Sequence, residues 1–498
     1  MNVNPITRLD YPDPDVIRVE DTYYMVSTTM HFMPGCEILQ SFDLVHWEHA
    51  TYVYETLDHT DAQQLKSGQN IYGQGMWAAS LRYHEGRFYI CFVANDTRKT
   101  YLYTSEKIDG PWKKQLIEGF YHDGSLLFDE DGRNYIVYGN DEIWITELNE
   151  DLTAPKKDGL HRLLVSDHKN PELGYEGSHI QKINGYYYIF LVHSLRDRWM
   201  RTEACFYSDS LEGEFTGGDV LCDDRGYCGQ GVAQGGIVDT PDGKWYAMLF
   251  QDSGAVGRLP ILLPVTWKDH FPVFGQNGHV PEEIEVHSTR PGYIYQPLVG
   301  SDDFCNGLLP RWQFNHDPDP RYYHLDALQG TYTITTREVC TELTQAVNTL
   351  TQRMSYPSCA AEVTVDASAL KEGDVAGLCA LQGCYAAVGI TKHHGKYEVL
   401  MLDKKEDGIL DMTEGTVVES HQMDFRFEAD FCNMKDEARC YYRVNKGDWL
   451  PIGTVHKLYF KLDHFTGCRF GLFCYAAEET GGSACFRDFK YYDVDEIS

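Results

Sequence analysis

Short apolar runs with a period of two, each preceded by a polar turn, recur through the first part of the chain. Five copies have Asp, Asn or Gly in a turn that leads into an aromatic strand: VEDTYYMVST, HEGRFYICFV, DEDGRNYIVYG, INGYYYIFLV and PDGKWYAMLF. A turn followed by alternating residues is typical of a β-hairpin. An outer strand that ends in a turn follows most copies, for example LQSFDLVHW and YTSEKIDGPW. Five units of roughly 45–65 residues predict a five-bladed β-propeller, with a two-sheet sandwich as the alternative.

The pattern changes near Ser301, where the repeat ends. Segments such as TYTITT, AAEVTVD, AAVGITK and YEVLML alternate with a period of two, and no long helical run interrupts them. This pattern is typical of a β-sandwich. We therefore predict an all-β chain, with a five-bladed propeller over residues 1–290 and a β-sandwich over residues 300–498. The linker is expected near HSTRPGYIYQPLVG.

Composition narrows the classes of function. The chain has 498 residues and a formal net charge of −32, which argues against nucleic acid and anionic membranes as partners. The sequence contains no apolar stretch of about 18 residues, so it predicts no transmembrane helix. The aromatic content of 13% fits both strands and a sugar-binding surface.

The cysteines and the start of the chain bear on its compartment. There are 15 cysteines, an odd number, without a CxxC pair at metal-binding spacing. Many free thiols suggest a reducing environment. The opening MNVNPITRLDYPDPDV lacks the basic and apolar regions of a secretory signal. We therefore predict a cytoplasmic protein.

Matched positions in the five units hold residues suited to a shared site. These are Asp13, Trp77, Asp123, Glu176 and Gln234, and each precedes the marker tyrosine of its unit by 11 or 12 residues. Because the innermost strand of each blade lines the central channel, equivalent positions should converge on one mouth of the propeller. Taken singly, each carboxylate could simply stabilise a turn, as Asp does in a DPD segment. Their common register is what indicates one site.

Three carboxylates around one opening suit the hydrolysis of a glycosidic bond. An inverting enzyme uses one carboxylic acid to protonate the leaving oxygen and one carboxylate, about 6.5–9.5 Å away, to activate water. A third carboxylate can raise the pKa of the acid, since like charges disfavour double ionisation. A tryptophan offers a flat face to the sugar ring.

At these residues the chain resembles glycoside hydrolase family 43, the five-bladed propeller β-xylosidases and α-L-arabinofuranosidases. The segment YPDPDV resembles the element with the general base, which implies that role for Asp13. HDGSLLFDEDGRNYIVYG resembles the element of the pKa-modulating aspartate, which implies Asp123. YEGSHIQKINGYYYIF resembles the general-acid element, which implies Glu176.

The resemblance also implies residues that contact the substrate. MWAASLRYHEGRFY resembles the strand whose tryptophan borders the sugar, here Trp77, and MHFMPGCEI resembles a first-blade loop, here with His31 and Phe32. GAVGRLPILLPVTW resembles the fifth-blade strand with a substrate-binding arginine, here Arg258. Gln234 completes this set by its register.

The remaining implications concern the second domain and a metal. The C-terminal part resembles the concanavalin-like sandwich of the family. Many members place a histidine near the propeller axis, often beside a structural calcium, but Ser253 stands where that histidine is expected. A calcium at the axis is therefore in doubt, and the chemistry requires no cofactor.

Together with the carboxylate pattern, the resemblance implies an exo-acting, inverting hydrolase that removes terminal α-L-arabinofuranosyl or β-D-xylosyl residues from hemicellulose. Its partner would be a small oligosaccharide, and a homo-oligomer is left open. The alternatives are a catalytically inactive, lectin-like propeller and an endo-arabinanase. An invertase-like enzyme is disfavoured because the RDP and EC elements are absent. A phosphorylase is disfavoured because Arg258 is the one evident basic ligand. Whether a loop of the sandwich reaches the site is also left open.

Overall fold

A computed structural model describes residues 4–493 and consists of β-strands joined by turns and loops. Three short 3₁₀ segments occur at Lys66–Gly68, Leu343–Gln345 and Cys432–Met434. The described part of the chain has no α-helix, and none of its helical segments is long and apolar enough to cross a membrane. The all-β fold class is confirmed.

The first part of the chain forms five antiparallel sheets of four strands each. Blade 1 contains Asp15–Val19, Thr22–Val26, Gly35–Ser41 and Glu48–Tyr54. Blade 2 contains Met76–His84, Arg87–Ala94, Lys99–Ser105 and Lys113–Ile117. Blade 3 contains Ser125–Phe128, Asn134–Asn140, Glu142–Leu148 and His161–Ser166. Blade 4 contains Glu176–Ile183, Tyr186–Ser194, Arg201–Ser208 and Thr216–Leu221. Blade 5 contains Val232–Asp239, Trp245–Asp252, Arg258–Lys268 and Phe271–Phe274. The first strand of each blade is the innermost, and these strands contact one another around a central axis, as predicted.

The segment before blade 1 closes the ring against blade 5. The side chain of Asn4 donates to the Leu262 carbonyl oxygen at 2.7 Å and accepts from the Leu262 amide at 2.8 Å. The Tyr11 amide donates to the Arg258 carbonyl oxygen at 3.0 Å. These contacts join the two ends of the propeller. They also fix the position of the segment that contains Asp13.

The second part of the chain forms two larger sheets, one of which also includes the short strand Phe32–Met33 from the first part. One sheet has, in sequence order, Phe32–Met33, Gln313–Asn315, Leu350–Arg353, Asp374–Leu381, Tyr385–His393, Lys396–Lys404, Leu410–Met412, Thr416–Val418 and Arg469–Ala476. The other has Tyr323–Asp326, Thr331–Thr335, Ser358–Asp366, Gln422–Asp430, Glu437–Val444, Leu450–Lys457 and Ser483–Asp493. Along Gln422–Asp430, burial alternates: Met423, Phe425 and Phe427 point into the core between the sheets. This alternation is what a strand with one buried face requires.

Polar contacts bind the sandwich to the propeller. The buried Asp10 carboxylate accepts the Arg258 amide at 2.8 Å and the Gly467 amide at 2.7 Å. A Cβ atom at Gly467 would lie 2.1 Å from the Val256 carbonyl oxygen, so only glycine fits there. The loop that precedes Gly467 is therefore pressed against the end of the propeller where the five inner strands begin.

Candidate active site

The inner strands of the propeller begin at a small pocket of about 210 Å³. It is lined by Asp13, Trp77, His122, Asp123, Leu173, Glu176, Trp199, Arg201, Gln234, Arg258, Leu462 and Phe465. Six residues selected from the sequence lie in this lining: Asp13, Trp77, Asp123, Glu176, Gln234 and Arg258. The volume is below the range of about 300–1,000 Å³ typical of drug-sized ligands, so the pocket suits one small sugar unit.

A shared backbone kink explains why the matched positions converge. Asp13, Asp123 and Gln234 have φ angles of 53°, 48° and 65°, in the left-handed region that non-glycine residues seldom occupy. Ala78 and Gly177, each next to a matched position, have φ angles of 30° and 65°. Such conformations cluster at functional sites, where surrounding structure holds them in place.

β-Bulges accompany the kink in three blades. The register of the inner strand shifts between Trp77 and Ser80 in blade 2, between Glu176 and His179 in blade 4, and between Ala233 and Gly236 in blade 5. A bulge bends the strand and re-aims a side chain. In these blades it turns the side chain at the matched position away from the sheet and towards the pocket.

Asp13 is held by two donors. The Thr28 hydroxyl donates to its Oδ2 at 2.6 Å, and the Arg258 Nη1 donates to its Oδ1 at 2.7 Å. The residue is 4% exposed. Charge-assisted hydrogen bonds of this kind are short and directional, and they fix the orientation of the carboxylate at the pocket floor.

Two buried arginines share one aspartate as a hydrogen-bond acceptor beside Asp13. We call Arg201, Arg258 and Asp252 the arginine fork. Asp252 accepts from Arg258 Nε at 3.2 Å and from Arg201 Nε at 2.9 Å. Burial acts to raise the pKa of Asp252, but the two guanidinium groups outweigh it and the pKa lies below its ordinary value. The Nη1 of Arg201 is buried and has no hydrogen-bond partner among the described residues, so it can donate to a ligand.

Glu176 and Asp123 face each other across His122. Nε2 of His122 lies 3.6 Å from Oε2 of Glu176 and 3.6 Å from Oδ2 of Asp123. Asn140 donates to Oε2 of Glu176 at 2.8 Å, and the Gly177 amide donates to Oδ2 of Asp123 at 3.1 Å. We call His122, Asp123 and Glu176 the proton-sharing cluster.

The pKa values in this cluster differ from the sequence-based expectation. Burial raises the pKa of Asp123 to about 6, with the Glu176 and Asp13 carboxylates adding to the rise. Burial also acts to raise the pKa of Glu176, but the hydrogen bond and charge of His122 outweigh it, and the pKa is lowered. The expectation that Asp123 keeps Glu176 protonated considered the carboxylates alone, and the charge and hydrogen bond of His122 oppose it.

The sandwich supplies one wall of the pocket. Leu462 and Phe465 come from the loop that Gly467 fixes against the propeller. The Phe465 ring lies 3.9 Å from the Arg258 guanidinium carbon and 5.1 Å from the Trp77 ring. A loop of the second domain therefore reaches the site.

His31 and Phe32 are not in the pocket lining, which corrects the expectation for these two residues. They are 0% and 2% exposed. The strand Phe32–Met33 pairs with the sandwich strand Gln313–Asn315, and this pairing turns the loop towards the domain contact. The Arg469 guanidinium carbon lies 3.4 Å from the centre of the Phe32 ring.

Several pocket residues lie outside the sequence-based selection: His122, Leu173, Trp199, Arg201, Leu462 and Phe465. His122 could have been found because it precedes Asp123 directly. Asp252 carried a signal too, since it pairs with Arg258 across the short hairpin of blade 5. Leu462 and Phe465 gave none, because their approach depends on how the two domains pack.

The residues at the propeller axis do not fit a calcium ion. The Asp15 carboxylate there already accepts from Arg82 Nη1 at 2.8 Å, the Leu81 amide at 2.8 Å and His179 Nδ1 at 3.1 Å. Calcium takes about 6–8 oxygen ligands, and a guanidinium in their place opposes it. His179 of blade 4 supplies the histidine at the axis, whereas Ser253 is buried and donates to the Gln251 carbonyl oxygen.

The ligand atoms of the proton-sharing cluster lie within 4.8 Å of one another, close enough for a metal ion. The Asp123 carboxylate raises the pKa of His122 to about 9, so this imidazole is protonated near neutral pH. A metal ion would have to displace this proton, because the ligand form is the neutral imidazole. We interpret the cluster as a group that shares protons.

Comparison with known proteins places this geometry in a family. Residues 3–272 match the model for glycosyl hydrolases family 43, and residues 301–492 match that for the beta-xylosidase C-terminal concanavalin A-like domain. The second match confirms the concanavalin-like nature of the sandwich. A beta-xylosidase of Formosa agariphila is 26% identical over 99% of this chain and 89% of its own length.

Two solved structures share the whole architecture. A bifunctional GH43-CE protein of Bacteroides eggerthii is 42% identical, with a TM-score of 0.92 over 99% of this chain; the chain spans 64% of that protein. An engineered GH43 glycoside hydrolase described as displaying both endo-xylanase and exo-arabinofuranosidase activity is 27% identical, with a TM-score of 0.86 over 99% of both chains. Together with the two-domain match, these similarities show that the chain belongs to glycoside hydrolase family 43.

Proposed function

We propose that this chain is an exo-acting, inverting glycoside hydrolase that removes terminal α-L-arabinofuranosyl or β-D-xylosyl residues from hemicellulose oligosaccharides. The observation that carries the proposal is the convergence of Asp13, Asp123 and Glu176, from three different blades, on one small pocket. Two relatives, a beta-xylosidase and an engineered enzyme with both endo-xylanase and exo-arabinofuranosidase activity, support the choice of a pentose.

The exo mode is supported by the size and closure of the pocket. Its volume of about 210 Å³ suits a single sugar unit, and Leu462 and Phe465 close one side. An endo-arabinanase needs an open groove across the mouth of the propeller, so that a chain can run through. The wall from the sandwich favours the end of an oligosaccharide over its middle.

In the proposed mechanism, Asp13 and Glu176 act on opposite sides of the anomeric carbon. Glu176 transfers a proton to the glycosidic oxygen as the bond to the anomeric carbon breaks. Asp13, held by Thr28 and Arg258, takes a proton from the water that attacks the other face. The sugar leaves with inverted configuration. No step requires a cofactor or a metal.

The other pocket residues bind and orient the sugar. Trp77 offers a ring face, and its buried indole N–H is without a partner among the described residues. Arg201 and Gln234 supply donors for hydroxyl groups, and Arg258 aligns Asp13. Asp123 holds the Gly177 amide and thereby fixes the strand that begins at Glu176. A lectin-like propeller would not need this acid and base pair.

The test is release of nitrophenol from 4-nitrophenyl α-L-arabinofuranoside and 4-nitrophenyl β-D-xylopyranoside. The wild type should cleave at least one of them, and Asp13→Ala should lose about 10²–10⁴-fold, the usual contribution of a general base. Glu130→Ala, a change at a carboxylate that is 85% exposed, serves as the control and should retain full activity. A wild type that binds but cleaves neither glycoside nor any pentose oligosaccharide would overturn the proposal in favour of a lectin.

A further inference from the structure

His122 lies between the two carboxylates of the proton-sharing cluster, and the mechanism above gives it no role. Its Nε2 is buried, lies 3.6 Å from one oxygen of each carboxylate, and makes no hydrogen bond within normal range in the described residues. Its ring packs edge-on against Trp77, with 6.3 Å between centroids. The imidazole thus points a polar atom into the pocket beside the proton that catalysis uses.

We propose that His122 is a proton reservoir for Glu176: it supplies the proton that Glu176 gives to the glycosidic oxygen. The proposal deepens the proposed function and rests on it, since it presupposes Glu176 as the general acid. The geometry carries it, because His122 Nε2 lies 3.6 Å from Glu176 Oε2 and equally 3.6 Å from Asp123 Oδ2, so the imidazole and the two carboxylates can exchange one proton among them.

The proton transfers balance over one turnover. The N–H bond of the His122 imidazolium breaks and an O–H bond forms on Glu176, which leaves a neutral imidazole and a neutral carboxylic acid. That O–H bond then breaks as the proton moves to the glycosidic oxygen. On the other face, Asp13 gains a proton from the attacking water. Afterwards Asp13 releases its proton to solvent and His122 takes one up.

Charged groups from several blades set the balance within the cluster. Asp123 and Asp13 face His122 with negative charge, and Asp123 is the larger influence on its raised pKa of about 9. Arg201 and Arg258 act on Glu176 and favour its ionised form. Groups that interact this strongly lose protons in steps that belong to the set and not to one residue.

The consequence is a wider range of pH over which one catalytic proton is available. With His122, whose pKa is raised to about 9, the cluster keeps a proton at higher pH than the two carboxylates alone would. Without it, that proton would reside on two carboxylates, and the higher of them has a pKa of about 6 in the presence of His122. Removal of the positive imidazole raises that value somewhat, so the range should narrow at its alkaline end by at least one pH unit.

The experiment compares His122→Asn and His122→Phe with the wild type. kcat/KM is measured from pH 5 to pH 10 on a xylo- or arabino-oligosaccharide, whose poor leaving group needs the general acid. The alkaline limb should move from about pH 9 to pH 8 or below in both variants, with about a tenfold loss for each pH unit above it. His161→Asn, at an exposed histidine of the same blade, should keep the wild-type profile. A wild-type profile in both His122 variants, even with reduced kcat, would show that the ring only packs against Trp77 and would overturn the proposal.

A measurement independent of turnover separates this inference from the proposed function. NMR titration of the His122 imidazole should give a pKa well above 6.5 in the wild type, and Glu176→Gln should lower it. An unchanged His122 pKa in Glu176→Gln would contradict the proton exchange even if every glycoside were cleaved. A wild type without glycosidase activity would contradict the proposed function instead. Loss of activity with a chelator, restored by a divalent ion, would replace the reservoir with a metal site.

Discussion

Removal of the charge on Asp252 tests whether this carboxylate stabilises the two buried arginines beside the pocket. Asp252 lies between Arg201 and Arg258, and the side chains are 2%, 3% and 6% exposed. Asp252→Asn keeps the shape and one acceptor but leaves two buried guanidinium groups without their shared counter-ion. Arg258 retains its bond to Asp13, whereas Arg201 loses its one described ion pair.

The size of the effect follows from burial. Removing one partner of a buried ion pair costs about 3–5 kcal/mol, because an uncompensated charge remains out of water. For a unit of this size, each kcal/mol corresponds to about 2–4 °C in Tm, so the loss should be about 10 °C. The arginine fork also aligns Asp13, and we expect a fall in kcat together with the loss of stability.

The assay is urea denaturation and calorimetry of Asp252→Asn beside a matched control. Asp239→Asn in the same blade removes a carboxylate that pairs with Arg18 but is 37% exposed. Exposed pairs of this kind contribute about 0–1 kcal/mol. If Asp252→Asn is no less stable than Asp239→Asn, the claim that the fork is a coupled, buried ion pair is refuted.

Three further predictions concern the sandwich wall, the domain contact and the general acid. Phe465→Ala removes the ring over Arg258 and should raise KM more than it lowers kcat, as steady-state kinetics would show; an unchanged KM would argue against a wall built by the sandwich. Burial lowers the pKa of His31 well below 6.5, so the unfolded chain takes up this proton first as the pH falls. The free energy of unfolding therefore falls as the pH drops below 6.5, and His31→Phe should make this fall smaller by up to about 1.4 kcal/mol per pH unit. Denaturation between pH 7 and pH 4 measures the difference. Glu176→Gln should lose at least about 10²-fold on an oligosaccharide but far less on a dinitrophenyl glycoside, which needs no acid; equal losses would exclude Glu176 as the acid.

The sequence predicts the architecture and half of the pocket lining, because in a propeller equal spacing along the chain gives equivalent positions around the axis. Residues at the same distance before the marker tyrosines reach the same mouth, and five of them line the pocket. This reasoning works for Asp13 and Glu176, since each depends only on its own blade. Phe32 is suggested by the resemblance of MHFMPGCEI and not by spacing, and its short strand pairs with a sandwich strand hundreds of residues away.

The sequence does not predict the contacts between distant segments or the interactions between charges that these contacts bring together. Phe465 reaches the pocket through a domain contact that leaves no periodic signal in its loop. Arg201 is paired with Asp252 across two different strands, and the fork exists only in three dimensions. The pKa order of Asp123 and Glu176 depends on a histidine 3.6 Å from both, a distance that no motif encodes.

The most direct test of the central claim is the anomeric configuration of the sugar first released. Proton NMR is recorded during the first minutes of hydrolysis of 4-nitrophenyl β-D-xylopyranoside, or of the α-L-arabinofuranoside if that is the better substrate, before mutarotation mixes the anomers. The pairing of Asp13 as base with Glu176 as acid predicts that the β-xyloside yields α-xylose first and the α-arabinofuranoside yields the β-anomer. Release of the sugar with retained configuration would contradict it, because one of these carboxylates would then have to act as a nucleophile.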